Sequence, residues 1–227
     1  MLLSTSNFAQ ISIINKGIGG NNTNDLLKRI DADVLSQSPD LVIMMVGTND
    51  MLNTKKIISY DLYRSNYESI VQKLIDNKIK VVLMSSPPVD TGYLFQRHRR
   101  ELFQQQPNEK IDSIRTIVKQ IAKNNGLCFL DLNEAFKVIG SPNRTKESLI
   151  INEANKAIPD GIHPTKEGYQ FISKKIYRFL KKHRLIKKNM KIICFGDSIT
   201  YGSFMKGEGT TSGDTYPAML QNYLNKK

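Results

Sequence analysis

Short apolar runs alternate along the chain with longer segments in which apolar residues return every three or four positions. Ile11–Ile14, Leu41–Val46, Lys80–Met84, Leu127–Leu130 and Lys191–Phe195 are nearly continuous in apolar residues. That is the pattern of strands covered on both faces of a parallel sheet. Helical patterns fall at 24–32, 60–77, 109–125, 165–182 and 216–224. In the second of these, Tyr63, Tyr67, Ile70, Val71 and Leu74 form one stripe to be buried, and Asn77 is a suitable terminator. Strand–helix alternation throughout predicts an α/β fold, a three-layer α/β/α sandwich. The longest irregular stretches are 86–108 and 140–164.

Polar residues able to do chemistry stand where strands end. The run Lys191–Phe195 leads into Gly196-Asp197-Ser198, which brings a serine hydroxyl to the carboxyl edge of a sheet, where α/β sites form. A serine is a poor nucleophile until a base takes its proton. Asp160-Gly161-Ile162-His163-Pro164 offers an imidazole and a carboxylate from one short loop, with Thr165 placed to cap the helix that follows. An aspartate accepting the imidazole Nδ1 proton fixes the tautomer and stabilises the imidazolium. Gly47-Thr48-Asn49-Asp50 follows the second strand, and Asn49 supplies amide N–H donors without a competing charge. Asn15-Lys16-Gly17-Ile18-Gly19-Gly20 follows the first. A dinucleotide-type glycine loop counted from Gly17 needs glycine at position 22, where Asn22 stands. The serine block is not a Gly-x-Ser-x-Gly elbow either, because Thr200 occupies the last position.

Taken together, Gly-Asp-Ser, Asn-x-Gly-x-x-Gly, Gly-x-Asn-Asp and Asp-x-x-His resemble the blocks of the GDSL/SGNH hydrolase family, in rotated order. In that family the serine block opens the chain and the Asp-x-x-His block closes it, whereas here the serine block comes last. The resemblance spans 1–227 as a single circularly permuted domain, in family order 190–227 then 1–189, with the polar stretch Lys187-Lys188-Asn189 as the seam. It implies a five-stranded parallel flavodoxin-like sheet with Ile11–Ile14 at an edge, followed by Lys191–Phe195, Leu41–Val46, Lys80–Met84 and Leu127–Leu130. It further implies Ser198 as nucleophile, His163 as base and Asp160 as its carboxylate. The oxyanion hole would be the N–H groups of Ser198 and Gly20 with the Asn49 side chain. Asp197 has no proton-transfer role and helps to fix the serine loop. The reaction implied is two-step acyl transfer from a short-chain, acetyl-type ester, without cofactor or metal. An acetylated carbohydrate and a lysolipid are the two substrate readings. A carbohydrate- or anionic-polymer-binding protein on the same scaffold is the non-catalytic rival.

Composition adjusts this picture only at its edges. The chain has 227 residues, enough for one large domain, and no apolar stretch of spanning length. Met1-Leu2-Leu3 followed by Ser-Thr-Ser-Asn lacks the basic start and apolar core of a signal peptide, so a cytoplasmic protein is expected. Cys128 and Cys194 sit in apolar runs, which the resemblance places three strands apart, as buried free thiols would. The formal net charge of +12 gathers in Lys181–Arg184 with Lys187-Lys188, and in Arg97–Arg100. The first group reads as a solvated helix end. With no zinc-finger or RNA-binding motif beside them, no specific nucleic-acid partner is expected. Arg97–Arg100 lies in the long 86–108 segment, where it would favour anionic substrates. In the same segment Tyr93-Leu94-Phe95 and Leu102-Phe103 would border an acyl pocket.

Overall fold

The computed structural model describes residues 10–226, so the readings made on Met1–Asn7 lie outside it. Five parallel strands form one sheet: β1 (Ser12–Gly17), β2 (Leu41–Met45), β3 (Lys80–Met84), β4 (Cys128–Leu130) and β5 (Lys191–Gly196). Their order across the sheet is β1-β5-β2-β3-β4, the order expected from the resemblance. The helices are α1 (Thr23–Asp33), α2 (Thr48–Leu52), α3 (Tyr60–Asp76), α4 (Thr91–Arg97) and α5 (Pro107–Asn124), then α6 (Leu132–Val138), α7 (Glu153–Lys156), α8 (Lys166–Lys182), α9 (Ser198–Tyr201) and α10 (Tyr216–Asn225).

Alternation within the strands sends side chains to two cores. Val42, Met44, Val81, Leu83, Ile193 and Phe195 pack against α1, α3 and α5 on one face. Leu41, Ile43, Val82, Met84, Ile192 and Cys194 pack against α6, α8 and α10 on the other. The three inner strands β5, β2 and β3 are thus apolar on both sides, the reason their sequences show no polar alternation. Caps set the helix ends: Ser59 accepts from the Leu62 N–H and Thr165 from the Gly168 N–H.

Several elements depart from expectation. β1 runs on through Asn15, Lys16 and Gly17 instead of stopping at Ile14. As an edge strand it can afford polar residues: Asn15 Nδ2 reaches the carbonyls of Tyr201 (3.4 Å) and Thr210 (3.2 Å), and Lys16 pairs with Asp33 at 3.0 Å. The irregular stretches 86–108 and 140–164 contain helices, α4 and α7, too short to show a periodicity. The outer edge of β1 and the residue before it are taken up by side chains of α10. Gln221 accepts from the Ile13 N–H (2.6 Å) and Asn225 from the Ile11 N–H (3.0 Å), and both donate to the Ile11 carbonyl.

Candidate active site

Three adjacent strands, β1, β5 and β2, deliver three of the singled-out blocks to one edge of the sheet. β5 ends at Gly196, Asp197 caps α9 by accepting the Ile199 N–H (2.9 Å), and Ser198 is the first residue of that helical turn. Gly17, paired with Gly196 in the sheet, has to lack a side chain, because a Cβ there would overlap the main chain of Thr200 and Tyr201. The turn bearing Ser198 therefore packs directly onto the end of β1. Gly20 lies beyond β1 and Asn49 begins beyond β2 in α2, one on either flank of β5.

The fourth block arrives from the loop before α8. That loop is pinned on both sides: the Ile151 N–H donates to the His163 carbonyl (2.8 Å), and the Gly161 N–H to the Ile151 carbonyl (2.9 Å). Gly161 sits at φ +72°, the left-handed region that glycine adopts freely, so the chain can reverse between acid and base. His163 Nε2 is 2.9 Å from Ser198 Oγ, and His163 Nδ1 is 3.0 and 3.1 Å from the two carboxylate oxygens of Asp160. An ionised carboxylate only accepts, so Nδ1 carries the proton and Nε2 is free to accept from the serine hydroxyl.

Asp160 is fully buried. Burial alone would raise its pKa. The hydrogen bond and charge of His163, the His163 main-chain N–H and Arg97 outweigh burial and hold the carboxyl well below the usual range. Two other buried carboxyls behave oppositely. Burial pushes Asp197 up to about 7, only partly offset by the Ile199 N–H and His163 and reinforced by Asp50. Asp50, beside Asn49, is pushed up to about 6 by burial despite accepting from the Thr23 N–H (2.9 Å) and Oγ1 (2.5 Å).

Asn49 spends one amide N–H on the Asn21 carbonyl (3.0 Å), and its oxygen accepts from Asn53 (3.2 Å). The other amide N–H has no hydrogen-bond partner among the described residues. A cavity of about 400 Å³ is lined by Ser198, His163, Gly20 and Asn49, so the structure gathers these four expected residues around one space. Arg97, His98 and Phe204 are among the other residues of its wall. The Phe204 ring stands edge-on to His163 at 5.2 Å.

The 86–108 segment differs from expectation at this wall. Tyr93 and Leu94 are buried in the fold, and Phe95 and Phe103 pair edge-on at 5.7 Å. None of them borders the cavity; Arg97 and His98 do. Nor is the basic run held as one patch for substrate. Arg97 binds Asp160, Arg99 binds Glu101 (2.6 Å), and Arg100 lies 5.7 Å from the Phe95 ring centre. His98, not among the site residues expected from the sequence, lines the cavity with Nδ1 3.0 Å from Thr54 Oγ1. Arg29 was also missed. It ties the glycine block together through the Lys16 carbonyl (3.0 Å), Asn21 (2.8 Å) and the Gly196 carbonyl (2.8 Å), and lies over the Phe195 ring. Its only sequence signal was a lone arginine on an amphipathic helix.

A serine, an imidazole and a carboxylate in hydrogen-bond succession, beneath a cavity flanked by amide donors, is the arrangement of a serine hydrolase. Comparison with known proteins gives the family. The model of the GDSL-like lipase/acylhydrolase family matches residues 2–171, and the chain belongs to that family as a serine-type carboxylic ester hydrolase. The matched stretch holds Gly20, Asn49, Asp160 and His163 and ends before Ser198. An acetylxylan esterase of Geobacillus stearothermophilus is 29% identical over 183 residues, 74% of this chain and 71% of the relative. An uncharacterized lipoprotein of Bacillus subtilis, YqeF, is 26% identical over 182 residues, 75% of this chain and 74% of its own. The crystal structure of a lipase/acylhydrolase from Enterococcus faecalis superposes with a TM-score of 0.57 at 26% identity, covering 72% of each chain. Among the described residues no helix is long and apolar enough to cross a membrane.

Proposed function

We propose that the enzyme hydrolyses short-chain, acetyl-type esters through an acyl-enzyme on Ser198. The observation that carries this reading is the unbroken line from Asp160 through His163 to Ser198 Oγ, with hydrogen-bond distances of 3.0 and 2.9 Å, at the floor of the cavity. His163 Nε2 takes the serine proton as Oγ attacks the ester carbonyl. The resulting oxyanion is held by the N–H groups of Ser198 and Gly20 and by the free amide N–H of Asn49. The imidazolium then gives its proton to the leaving alkoxide, and water repeats the sequence to release the acid. Acetyl specificity is supported by the name of the Geobacillus relative and by a cavity near the small end of ligand sites. An acetylated carbohydrate is the substrate class this favours.

The test is turnover of p-nitrophenyl esters from acetate to long chains by the wild type and by Ser198→Ala. The expected outcome is a rate highest on acetate that falls by about 10⁴-fold or more in the variant. Equal rates in the two proteins would end the reading, and a preference for long chains would move it to lysolipids. A cytoplasmic location belongs to the same proposal, supported by the free thiols of Cys128 and Cys194. Recovery of the enzyme in a membrane fraction would count against it.

The permuted order is likewise proposed: a single domain in which 190–227 stands for the family's opening and 1–189 for the rest. Its support is that the matched stretch stops short of Ser198, and that Ile11 and Asn225 are hydrogen-bonded, so distant parts of the chain lie side by side. A chain reordered as 190–227 followed by 1–189 is expected to fold to the same sheet and keep its ester turnover. Failure to reach the same far- and near-ultraviolet circular dichroism would remove the idea.

A further inference from the structure

Arg97 is the last residue of α4, sixty-three positions from Asp160, and it grips that residue twice. Nη1 donates to the carboxylate Oδ1 at 2.8 Å, and Nη2 donates to the Asp160 main-chain carbonyl. The same Oδ1 accepts from His163 Nδ1, while Oδ2 accepts from the main-chain N–H groups of Ile162 (2.9 Å) and His163 (2.6 Å). A planar guanidinium bonded to side chain and main chain of one residue fixes the carboxylate's rotation as well as its position.

The helix that carries Arg97 is itself fastened to this loop. The Asp90 N–H donates to the Gly161 carbonyl (2.8 Å), and the side chains of Asp90 and Tyr93 crowd Gly161 so closely that a Cβ there would touch both. At its other end α4 is anchored by Arg144, whose guanidinium holds Asp90 at 2.9 and 3.0 Å. Arg97 is therefore carried by a docked helix, and although its side chain is 37% exposed, its guanidinium is held on the buried Asp160. It also borders the cavity that contains Ser198.

We propose that Arg97 is a positioning residue of the hydrolysis, acting through Asp160 to hold His163 in the orientation and tautomer that receive the Ser198 proton. The proposal rests on the reading of Ser198, His163 and Asp160 as the catalytic line. It adds a fourth member that comes from a different part of the chain. The buried carboxylate keeps its two main-chain donors without Arg97, but it loses the contact that sets its plane. An error of about 1 Å at such a site can cost 10²-fold in rate.

The experiment compares the wild type, Arg97→Leu and Arg97→Lys by kcat and KM on p-nitrophenyl acetate. Proton NMR of the low-field His163 Nδ1–H resonance is recorded on the same samples. Arg97→Leu is expected to lower kcat by about 10- to 100-fold with KM nearly unchanged, and to broaden or shift the low-field resonance. Arg97→Lys, which keeps the charge but not the two-point grip, is expected to recover part of both. Wild-type kcat in Arg97→Leu would overturn the proposal. So would a loss carried by KM alone, which would place Arg97 on the substrate, or a fall in kcat with the resonance unmoved. If the leucine variant does not fold, Arg97→Lys carries the same two readings. Should Ser198→Ala turn over esters as fast as the wild type, the functional reading fails on its own. The NMR comparison still reports whether Arg97 governs the Asp160–His163 bond.

Discussion

The loop Asp160–His163 and the end of β5 each bury an aspartate completely, and the two carboxyls are driven in opposite directions. Asp160 accepts from four N–H donors: Arg97 Nη1, the main-chain N–H groups of Ile162 and His163, and His163 Nδ1. Asp197 accepts from the Ile199 N–H on one oxygen, and its other oxygen has no partner among the described residues. Burial favours the neutral form of both, and the surroundings separate them. A carboxylate held by several N–H groups beside His163 and Arg97 stays ionised in a dry site, and one with so little to offset its burial favours its proton. The molecule thus keeps one ionised carboxylate against His163 and, in the residue before Ser198, a second whose pKa of about 7 leaves it about half protonated at neutral pH. On the proposed mechanism, a full negative charge there would oppose the oxyanion.

The comparison breaks most visibly at its ionised member. Asp160→Asn removes the anion while keeping the shape, and kcat on p-nitrophenyl acetate is expected to fall by about 10³–10⁴-fold. A fall of less than tenfold would mean that Asp160 does not hold the imidazole. The oxyanion side gives the next largest effect. Asn49→Ala should cost on the order of 10²–10³ in kcat, because one donor to the developing charge is lost. An unchanged rate would remove Asn49 from that role.

The smallest effect sharpens the neutral member and is read in stability. A carboxyl whose pKa is raised on folding binds its proton more readily in the folded state. Its contribution is therefore fully present below about pH 4 and lost as pH rises through about 7. Asparagine keeps the oxygen that caps α9 without the ionisation. Asp197→Asn is accordingly expected to be more stable than the wild type at pH 8 by about 1–3 kcal/mol, with the difference disappearing near pH 4. Thermal melts across that range check it. A difference that grew toward low pH would show that the proton of Asp197 is not favoured by folding.

What could be read from the sequence follows from how each feature is encoded. The strands were legible because each is a contiguous apolar run in a sheet covered by helices on both faces, and their order came from the family resemblance. The strand boundary at Ile14 was not, because an edge strand tolerates Asn15 and Lys16, which the apolar criterion excludes. The residues that meet at the cavity were legible because each block is local: Asp160 and His163 share one loop, and Ser198, Asn49 and Gly20 each follow a strand. Arg97 was not legible as a partner of Asp160. Its role depends on the docking of α4, a helix of seven residues with no period to detect, and its neighbours Arg99 and Arg100 made the run look like a patch for anionic substrates. The buried state of Asp197 and Asp50 was likewise invisible, since it depends on packing from both faces of the sheet.

The side-chain amides of Gln221 and Asn225 on the first residues of the chain's edge have a consequence for the behaviour of the molecule in a crowded solution. An exposed, unpaired strand margin is a template onto which another chain can add, and so a starting point for aggregation. Here the N–H groups of Ile11 and Ile13 and the carbonyl of Ile11 are already taken up by a helix that cannot extend the ladder. At the opposite margin β4 is only three residues long, too short to seed much pairing. The sheet is closed to strangers at one side by borrowed amides and at the other by brevity.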